Sequence, residues 1–125
     1  MNLIDTNIFL EILLSQNKKE ICKNFLVQNQ GRLNISDFSL YSVGIVLFKG
    51  KLFDDYANFF QNITRNLFIK SLPIEQHSDI IHSSKKLNLD FDDSYQYNVA
   101  KFYGLKIITM DKDFKKDKDI EVIFL

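Results

Sequence analysis

Aspartate is the residue type in this chain whose positions best suit catalysis. Twelve of the sixteen acidic residues are Asp and only four are Glu. Asp5 follows the apolar pair Leu3-Ile4, and Asp111 ends a second apolar run. Asp93 precedes Asp111 by about one helix plus one strand. Because converging carboxylates repel one another unless a cation lies between them, we predict that Asp5, Asp93 and Asp111 form a site for Mg²⁺ or Mn²⁺. These ions bind carboxylates, leave positions for phosphate oxygens and activate water for phosphodiester hydrolysis.

Apolar segments of two different periods alternate along the chain and predict the elements that carry these acids. Short runs at 33–35, 105–109 and 120–125 are typical of buried strands, and segments with helical spacing separate them. This alternation predicts an α/β fold with three α/β/α layers and a central, mostly parallel sheet of about five strands. Because sites in such sheets lie at the carboxyl ends of the strands, Asp5 and Asp111 should lie at the same edge.

Each acid also has a structural explanation. Asp5 and Asp93 both precede predicted helices and are good N-cap residues, and Asp111-Lys112-Asp113 resembles a turn. A phosphoacceptor signalling domain also places acids at parallel strand ends. Such a domain needs an acidic pair after its first strand, however, where this chain has Thr6 and Asn7 beside Asp5. The joint placement of three acids at strand and helix ends favours the metal site.

Length and composition restrict the remaining classes of protein. The chain has 125 residues, the size of one domain, and we expect a single domain over residues 1–125. It contains neither a P-loop nor a dinucleotide-binding glycine motif, which argues against nucleotide-cofactor enzymes. The single cysteine, Cys22, and the lack of a long apolar run predict a cytoplasmic protein with no membrane association.

The overall charge does not indicate a nucleic-acid binder. Sixteen Lys plus Arg balance sixteen Asp plus Glu, so any contact with nucleic acid depends on a local patch. Such a patch follows the predicted site and consists of Lys112, Lys115, Lys116 and Lys118. Because Asp residues interleave with these lysines, an RNA-contacting patch and a solvated turn are both consistent with the segment.

Three segments resemble the conserved blocks of PIN-domain ribonucleases, including toxins of the VapC type: 3–7, 89–94 and 108–114. The resemblance spans nearly the whole chain. It implies a metal-dependent endoribonuclease that hydrolyses RNA, with Mg²⁺ or Mn²⁺ as cofactor and Asp5, Asp93 and Asp111 as its catalytic, metal-binding acids. A small antitoxin partner and a homodimer are also implied. The resemblance further assigns supporting roles to Asn7 and Thr109 and a further acid to Asp113.

One position departs from this resemblance. PIN-domain ribonucleases usually carry a glutamate in the helix after the second strand, and Ser42 stands at the matching position. Asp37, at the end of the second strand, or Asp92, beside Asp93, is a candidate substitute for that acid. Asp37 is alternatively the N-cap of a helix that begins near Phe38. The missing glutamate leaves a second function open, a PIN-like protein-binding module with weakened catalysis.

Overall fold

The computed structural model describes residues 1–116 and 119–125. Asp117 and Lys118, the latter a member of the predicted basic patch, lie outside the described residues. The strands within these ranges are β1 (Asn2–Ile4), β2 (Leu33–Ser36), β3 (Phe68–Lys70), β4 (Lys106–Thr109) and β5 (Val122–Phe124). The α-helices are α1 (Thr6–Leu13), α2 (Lys19–Gln28), α3 (Asp37–Lys49), α4 (Phe53–Asn66), α5 (Ser78–Leu87) and α6 (Phe91–Tyr103). Short 3₁₀ segments cover Ile74–Gln76 and Lys112–Lys116. None of the helices in these ranges combines the length and apolar character needed to cross a bilayer.

The strands form one parallel sheet in the order β3-β2-β1-β4-β5. Leu3 of β1 lies opposite Asn34 on one side and Ile107 on the other, so β1 is the central strand. The chain moves outward from β1 to β2 and β3, then returns to pair β4 with the free side of β1. This reversal opens a crevice at the carboxyl ends of β1 and β4. The prediction of a parallel sheet of about five strands in an α/β/α arrangement is confirmed.

Consecutive residues of the central strands enter different cores, because side chains alternate across a sheet. Leu3 and Ile107 belong to a core that includes residues of α5 and α6, whereas Ile4 and Ile108 belong to a core that includes residues of α1 to α4. All four side chains are fully buried. Helices therefore cover both faces of the sheet, which explains why these strands are continuous apolar runs.

Helix α6 begins at Phe91, and its N-cap is Asp90. The Asp90 side chain accepts a hydrogen bond from the backbone N–H of Asp93 at 2.9 Å. The N-cap interpretation of Asp93 is therefore wrong, because Asp90 already fills that role and Asp93 lies in the first turn of the helix. The helix ends at Gly104, whose φ of +66° lies in the left-handed region that glycine tolerates best.

Helix α3 has Ser36 as its N-cap, and the Ser36 Oγ accepts from the backbone N–H of Ser39 at 3.0 Å. The N-cap interpretation of Asp37 is therefore wrong by one residue, since Asp37 is already the first residue of the helix. An acid at that position still interacts favourably with the positive end of the helix dipole.

Candidate active site

The carboxyl ends of β1 and β4 border a cavity of about 210 Å³. Asp5 directly follows β1, Asp93 lies in the first turn of α6, and Asp111 follows Thr109 at the end of β4. The walls of the cavity include six of the residues singled out by the sequence: Asp5, Asn7, Ser42, Asp92, Asp93 and Asp111. The sheet topology thus gathers acids that are far apart in the chain.

Asp5 is the most constrained acid of this cavity and is only 7% exposed. Asp5 is the N-cap of α1 and also lines the cavity, so the structural role and the site role predicted for it are compatible. Its Oδ1 accepts from the backbone N–H of Thr6 at 2.8 Å and from Gln96 Nε2 at 3.1 Å. Its Oδ2 accepts from Thr109 Oγ1 at 2.7 Å and from Asn7 Nδ2 at 3.2 Å. Because a carboxylate has about four lone-pair directions, these four donors fix its orientation.

Thr109 and Asn7 connect Asp5 to the end of β4. Besides donating to Asp5, Thr109 Oγ1 accepts from Asn7 Nδ2 at 3.2 Å and from the backbone N–H of Asp111 at 2.9 Å. Asn7 Oδ1 accepts from the backbone N–H of Met110 at 3.3 Å. These bonds hold Asp5 and Asp111 in a fixed relation, which gives a physical basis to the supporting roles expected of both residues.

Asp93, Asp111 and Asp113 form the tightest acidic group in the described part of the chain. One carboxylate oxygen from each lies within 4.8 Å of the other two. The backbone N–H of Asp113 donates to Asp111 Oδ1 at 2.9 Å, so the turn after β4 orders this group. Three carboxylate oxygens suit a hard divalent cation such as Mg²⁺ or Mn²⁺. Asp5 lines the same cavity but is not a member of this group, and its oxygens accept from the four donors described above.

Burial and neighbouring negative charge raise the pKa values of Asp93 and Asp5. Burial and then the charge of Asp111 raise the pKa of Asp93 to about 8. Burial also raises the pKa of Asp5, although its hydrogen bonds oppose that effect. Carboxylates that meet without a cation are expected to behave in this way. The donor set therefore fits a cation, whose positive charge would favour the ionised acids.

We expect the stability of the metal-free protein to fall as pH rises. Since the pKa of Asp93 is about 8 in the folded protein and near 3.8 otherwise, the folded state holds this proton more tightly than the unfolded chain. The free energy of unfolding should therefore decrease between about pH 4 and pH 8, by at most about 6 kcal/mol at about 1.4 kcal/mol per unit of pKa difference, and level off above. Urea unfolding in the presence of a chelator measures this quantity.

The Asp93→Asn variant serves as the control, because its side chain does not titrate. Its free energy of unfolding should change less over the same pH range, and it should exceed that of the wild type at pH 8. A wild-type stability that rises over this range, in step with the variant, would contradict the assignment to Asp93.

Of the two candidate substitutes for the missing acid, only Asp92 reaches the cavity. Asp37 is not among the residues that line it. Asp37 Oδ1 instead accepts from Tyr95 Oη at 2.7 Å, and its Oδ2 accepts from Ser71 Oγ at 2.9 Å. Asp37 therefore joins α3 to α6 and to the segment after β3, whereas Ser42 itself lines the cavity without supplying a carboxylate.

Gln96 and Ser39 contact this site and were not predicted from the sequence. Gln96 is 2% exposed and donates to Asp5, while Ser39 is fully buried beside it. One available signal was the position of Gln96 one helical turn after Asp93, which puts both side chains on the same face of α6. A polar residue at such a position within an apolar helix face is a candidate partner for a nearby acid.

The PIN-domain family model matches residues 3–119 of this chain. Solved structures share its fold. A chain of a toxin–antitoxin complex from Klebsiella pneumoniae has a TM-score of 0.79 at 19% identity, covering 98% of this chain and 96% of that chain. A chain of VapBC2 from Rickettsia felis, bound to a DNA fragment from its promoter, has a TM-score of 0.78 at 14% identity, covering 99% and 98%. FitAcB from Neisseria gonorrhoeae gives 0.71 at 18% identity, covering 98% and 96%.

No curated protein sequence matches the chain significantly. At the identities above, the solved structures establish a shared fold, and the family match establishes the relationship. PIN domains of this kind are generally nucleases. Since the match covers the segments that carry Asp5, Asp93 and Asp111, the chain belongs to the PIN-domain family.

Proposed function

We propose that this protein is a divalent-metal-dependent endoribonuclease that hydrolyses RNA phosphodiester bonds. The observation that carries this proposal is the meeting of the Asp93, Asp111 and Asp113 carboxylates, of which Asp93 and Asp111 line the same cavity as Asp5. The family relationship supports a nuclease in general, and the acidic donor set supports the metal dependence. RNA as the substrate is the expectation that the resemblance to VapC-type toxins provides.

Asp93, Asp111 and Asp113 would hold the Mg²⁺ or Mn²⁺ ion, with Asp5 beside them. When bound, the ion activates a water molecule and stabilises the charge of the departing oxygen. Asn7 and Thr109 keep Asp5 and Asp111 in place through the hydrogen bonds between the strand ends. The acids repel a phosphodiester in the absence of a cation, so RNA binding at the cavity should itself require the metal.

Lys112 is the residue that we propose contacts the RNA backbone beside this site. It directly follows Asp111, and its Nζ lies 4.7 Å from the centre of the Phe124 ring. This cation–π contact orders a positive charge on the residue that follows Asp111, and a phosphate of a bound strand would pair with that charge.

The test is cleavage of a mixed pool of single-stranded RNA by the purified protein with Mn²⁺ or Mg²⁺. We expect cleavage with either ion and none in excess chelator. An Asp5→Asn variant should be strongly impaired, because an amide places an N–H donor among four existing donors. A folded wild-type protein that binds Mn²⁺ but cleaves no RNA would contradict the proposed activity.

We further propose a small antitoxin protein as a partner. The structures of the same fold from Klebsiella pneumoniae and Rickettsia felis are a toxin–antitoxin complex and VapBC2 bound to promoter DNA. In this chain an apolar cavity of about 410 Å³ lies between α1, α2 and α4, with Ile12, Leu26 and Phe59 in its walls. Such a cavity suits an amphipathic helix of a partner. A small protein encoded nearby should co-purify with the wild type and not with a Leu26→Asp variant.

A homodimer is the oligomeric state we propose. Helices α3 and α4 expose a row of large apolar side chains: Tyr41, Ile45, Phe48, Phe53 and Phe60. Phe48 packs against Phe53 with ring centres 5.1 Å apart, so the row is ordered on the monomer. A contiguous exposed apolar surface of this kind is typical of a protein–protein interface. Sedimentation that gives a monomer at high protein concentration would contradict this proposal.

A second candidate function is a PIN-like protein-binding module with weakened catalysis, and Ser42 favours it. The Ser42 side chain lines the cavity where a carboxylate would add one more metal ligand. Metal affinity of oxygen sites rises with the number of charged ligands. The two functions therefore differ in whether the remaining acids suffice to bind the ion.

We expect the Ser42→Glu variant to bind Mn²⁺ about tenfold more tightly than the wild type, because it adds a carboxylate to an oxygen site. Calorimetric titration of the metal-free protein measures the affinity. Ser42→Gln is the matched control, since it has the same length without the charge and should give a much smaller gain. Equal affinities of the two variants would show that position 42 does not contribute a charge to the ion.

A further inference from the structure

The side-chain amide of Gln96 links Asp5 to helix α3. Its Nε2 donates to Asp5 Oδ1 at 3.1 Å and to Ser39 Oγ at 2.6 Å. An ionised carboxylate only accepts hydrogen bonds, so the nitrogen of the amide must face Asp5 and the oxygen must face away. The orientation of this amide is therefore determined by its surroundings.

Ser39 extends this link back to Thr6, whose backbone N–H is capped by Asp5. The Ser39 Oγ receives hydrogen bonds from Gln96 Nε2 and from Ser36 Oγ at 3.2 Å. Because a hydroxyl has two acceptor positions and one hydrogen, Ser39 must donate its own hydrogen to Thr6 Oγ1, 2.8 Å away. The backbone N–H of Thr6 in turn donates to Asp5 Oδ1. A single buried network thus holds Asp5 Oδ1 from two sides.

The structure retains Gln96 at a cost in stability. Its Oε1 is one of the buried side-chain atoms in the described residues without a hydrogen-bond partner. An unsatisfied buried acceptor lowers the stability of the folded state, and an apolar side chain of similar volume would avoid that loss. A residue that is unfavourable for folding and contacts a site acid is more easily explained by function than by packing.

Gln96 also stands at a particular place relative to the missing acid. It lies one turn after Asp93 on α6, and its acceptor Ser39 lies one turn before Ser42 on α3. The amide therefore connects the same two helices from which Asp93 and an acid at position 42 would approach the cavity.

We propose that Gln96 is a positioning residue of the acidic site, which ties Asp5 to α3 and thereby maintains affinity for a divalent cation although position 42 is Ser. This inference rests on the proposed function. Gln96 acts through Asp5: removal of the amide leaves Oδ1 with the backbone N–H of Thr6 as its remaining donor and breaks the link to α3, so Asp5 is held less firmly beside Asp93 and Asp111.

The test is calorimetric titration of the metal-free protein with Mn²⁺, comparing wild type with Gln96→Leu. We expect Gln96→Leu to bind Mn²⁺ about tenfold more weakly. In the RNA cleavage assay, the Mn²⁺ concentration for half-maximal rate should rise by a similar factor, with a smaller change in the rate at saturating Mn²⁺. A purely structural role would instead lower the fraction of active protein without shifting that concentration.

Asn98→Leu is the matched control, because it removes another buried amide from α6. Asn98 donates to Ser83 Oγ at 2.8 Å and to the Ser94 carbonyl at 2.7 Å, and it is not among the residues that line the acidic cavity. Its Mn²⁺ affinity should stay within about twofold of the wild type. If Gln96→Leu does not fold, Gln96→Met replaces it, since this change keeps an unbranched side chain of similar length, removes the amide donor without adding a charge, and should weaken binding as well.

The outcomes separate the inference from the function on which it rests. Mn²⁺ binding by the wild type with an unchanged affinity in the Gln96 variants would overturn the positioning role alone. A wild type that binds no Mn²⁺ would overturn the proposed function and, with it, the role of Gln96. Weaker binding in the Gln96 variants but not in Asn98→Leu would support both.

Discussion

The Asp93→Asn variant should lose RNA cleavage by at least about 100-fold while gaining stability in the absence of metal. Asp93 is 8% exposed and its carboxylate meets those of Asp111 and Asp113, so it contributes charge where a cation would bind. An amide removes that charge and one of the carboxylate ligands. The same change relieves the repulsion that raises the pKa of Asp93 to about 8. The measurement is RNA cleavage with Mn²⁺, together with urea unfolding of the metal-free protein at pH 8.

The Asp54→Asn variant provides the control for this prediction. Asp54 also lies in the first turn of a helix, α4, but it is exposed and is not among the residues that line the acidic cavity. Its cleavage rate should stay within about twofold of the wild type. If Asp93→Asn cleaves RNA as well as Asp54→Asn does, Asp93 is not a catalytic residue; if the wild type and both variants cleave no RNA, the protein-binding module becomes the better interpretation.

The Phe114→Ala variant should lose about 3–5 kcal/mol of unfolding free energy, the usual effect of removing a buried aromatic ring. Phe114 is 1% exposed and belongs to the same buried core as Leu3 and Ile107. It directly follows Asp113, so its ring anchors the turn that carries two acids of the cluster. Chemical denaturation gives the stability, and Mn²⁺ titration below the unfolding transition should show weaker metal binding.

Two substitutions test this role of Phe114. Phe102→Ala removes a ring that is 48% exposed on α6 and should cost about 1 kcal/mol or less. Phe114→Leu retains most of the buried volume and should restore most of the stability and metal affinity lost in Phe114→Ala. A Phe114→Ala protein as stable as the wild type would mean that the turn does not depend on this ring.

The central strands were predictable because a parallel sheet covered by helices on both faces needs continuous apolar runs. Leu3-Ile4 and Ile107-Ile108 satisfy that requirement on both faces at once. The acids that follow these runs, Asp5 and Asp111, could be placed at one edge because parallel strands all end there. The central strands and the acids at their carboxyl ends are thus predictable from short segments of the sequence.

The cap residues and the buried network were harder to predict, for a physical reason. Asp90 and Asp93 are both acceptable N-caps, and only the packing of α6 decides that the helix begins at Phe91. Gln96 on α6 donates to Asp5, which follows β1, and to Ser39 on α3. The spacing of residues along α6 does not predict partners on other elements. Hydrogen-bond partners so distant in sequence depend on the whole tertiary structure.

The pairing of β1 with β4 has a consequence for when the site exists during synthesis. The hydrogen bond from Thr109 to Asp5 joins residues 104 positions apart, and β4 occupies the free side of β1. Until the ribosome has released the segment beyond Asp113, the N-terminal acid has neither its hydroxyl donor nor the other carboxylates beside it. A nascent or truncated chain that ends before β4 therefore lacks the assembled acidic site, and the proposed nuclease activity would require synthesis of the segment that contains β4, Asp111 and Asp113.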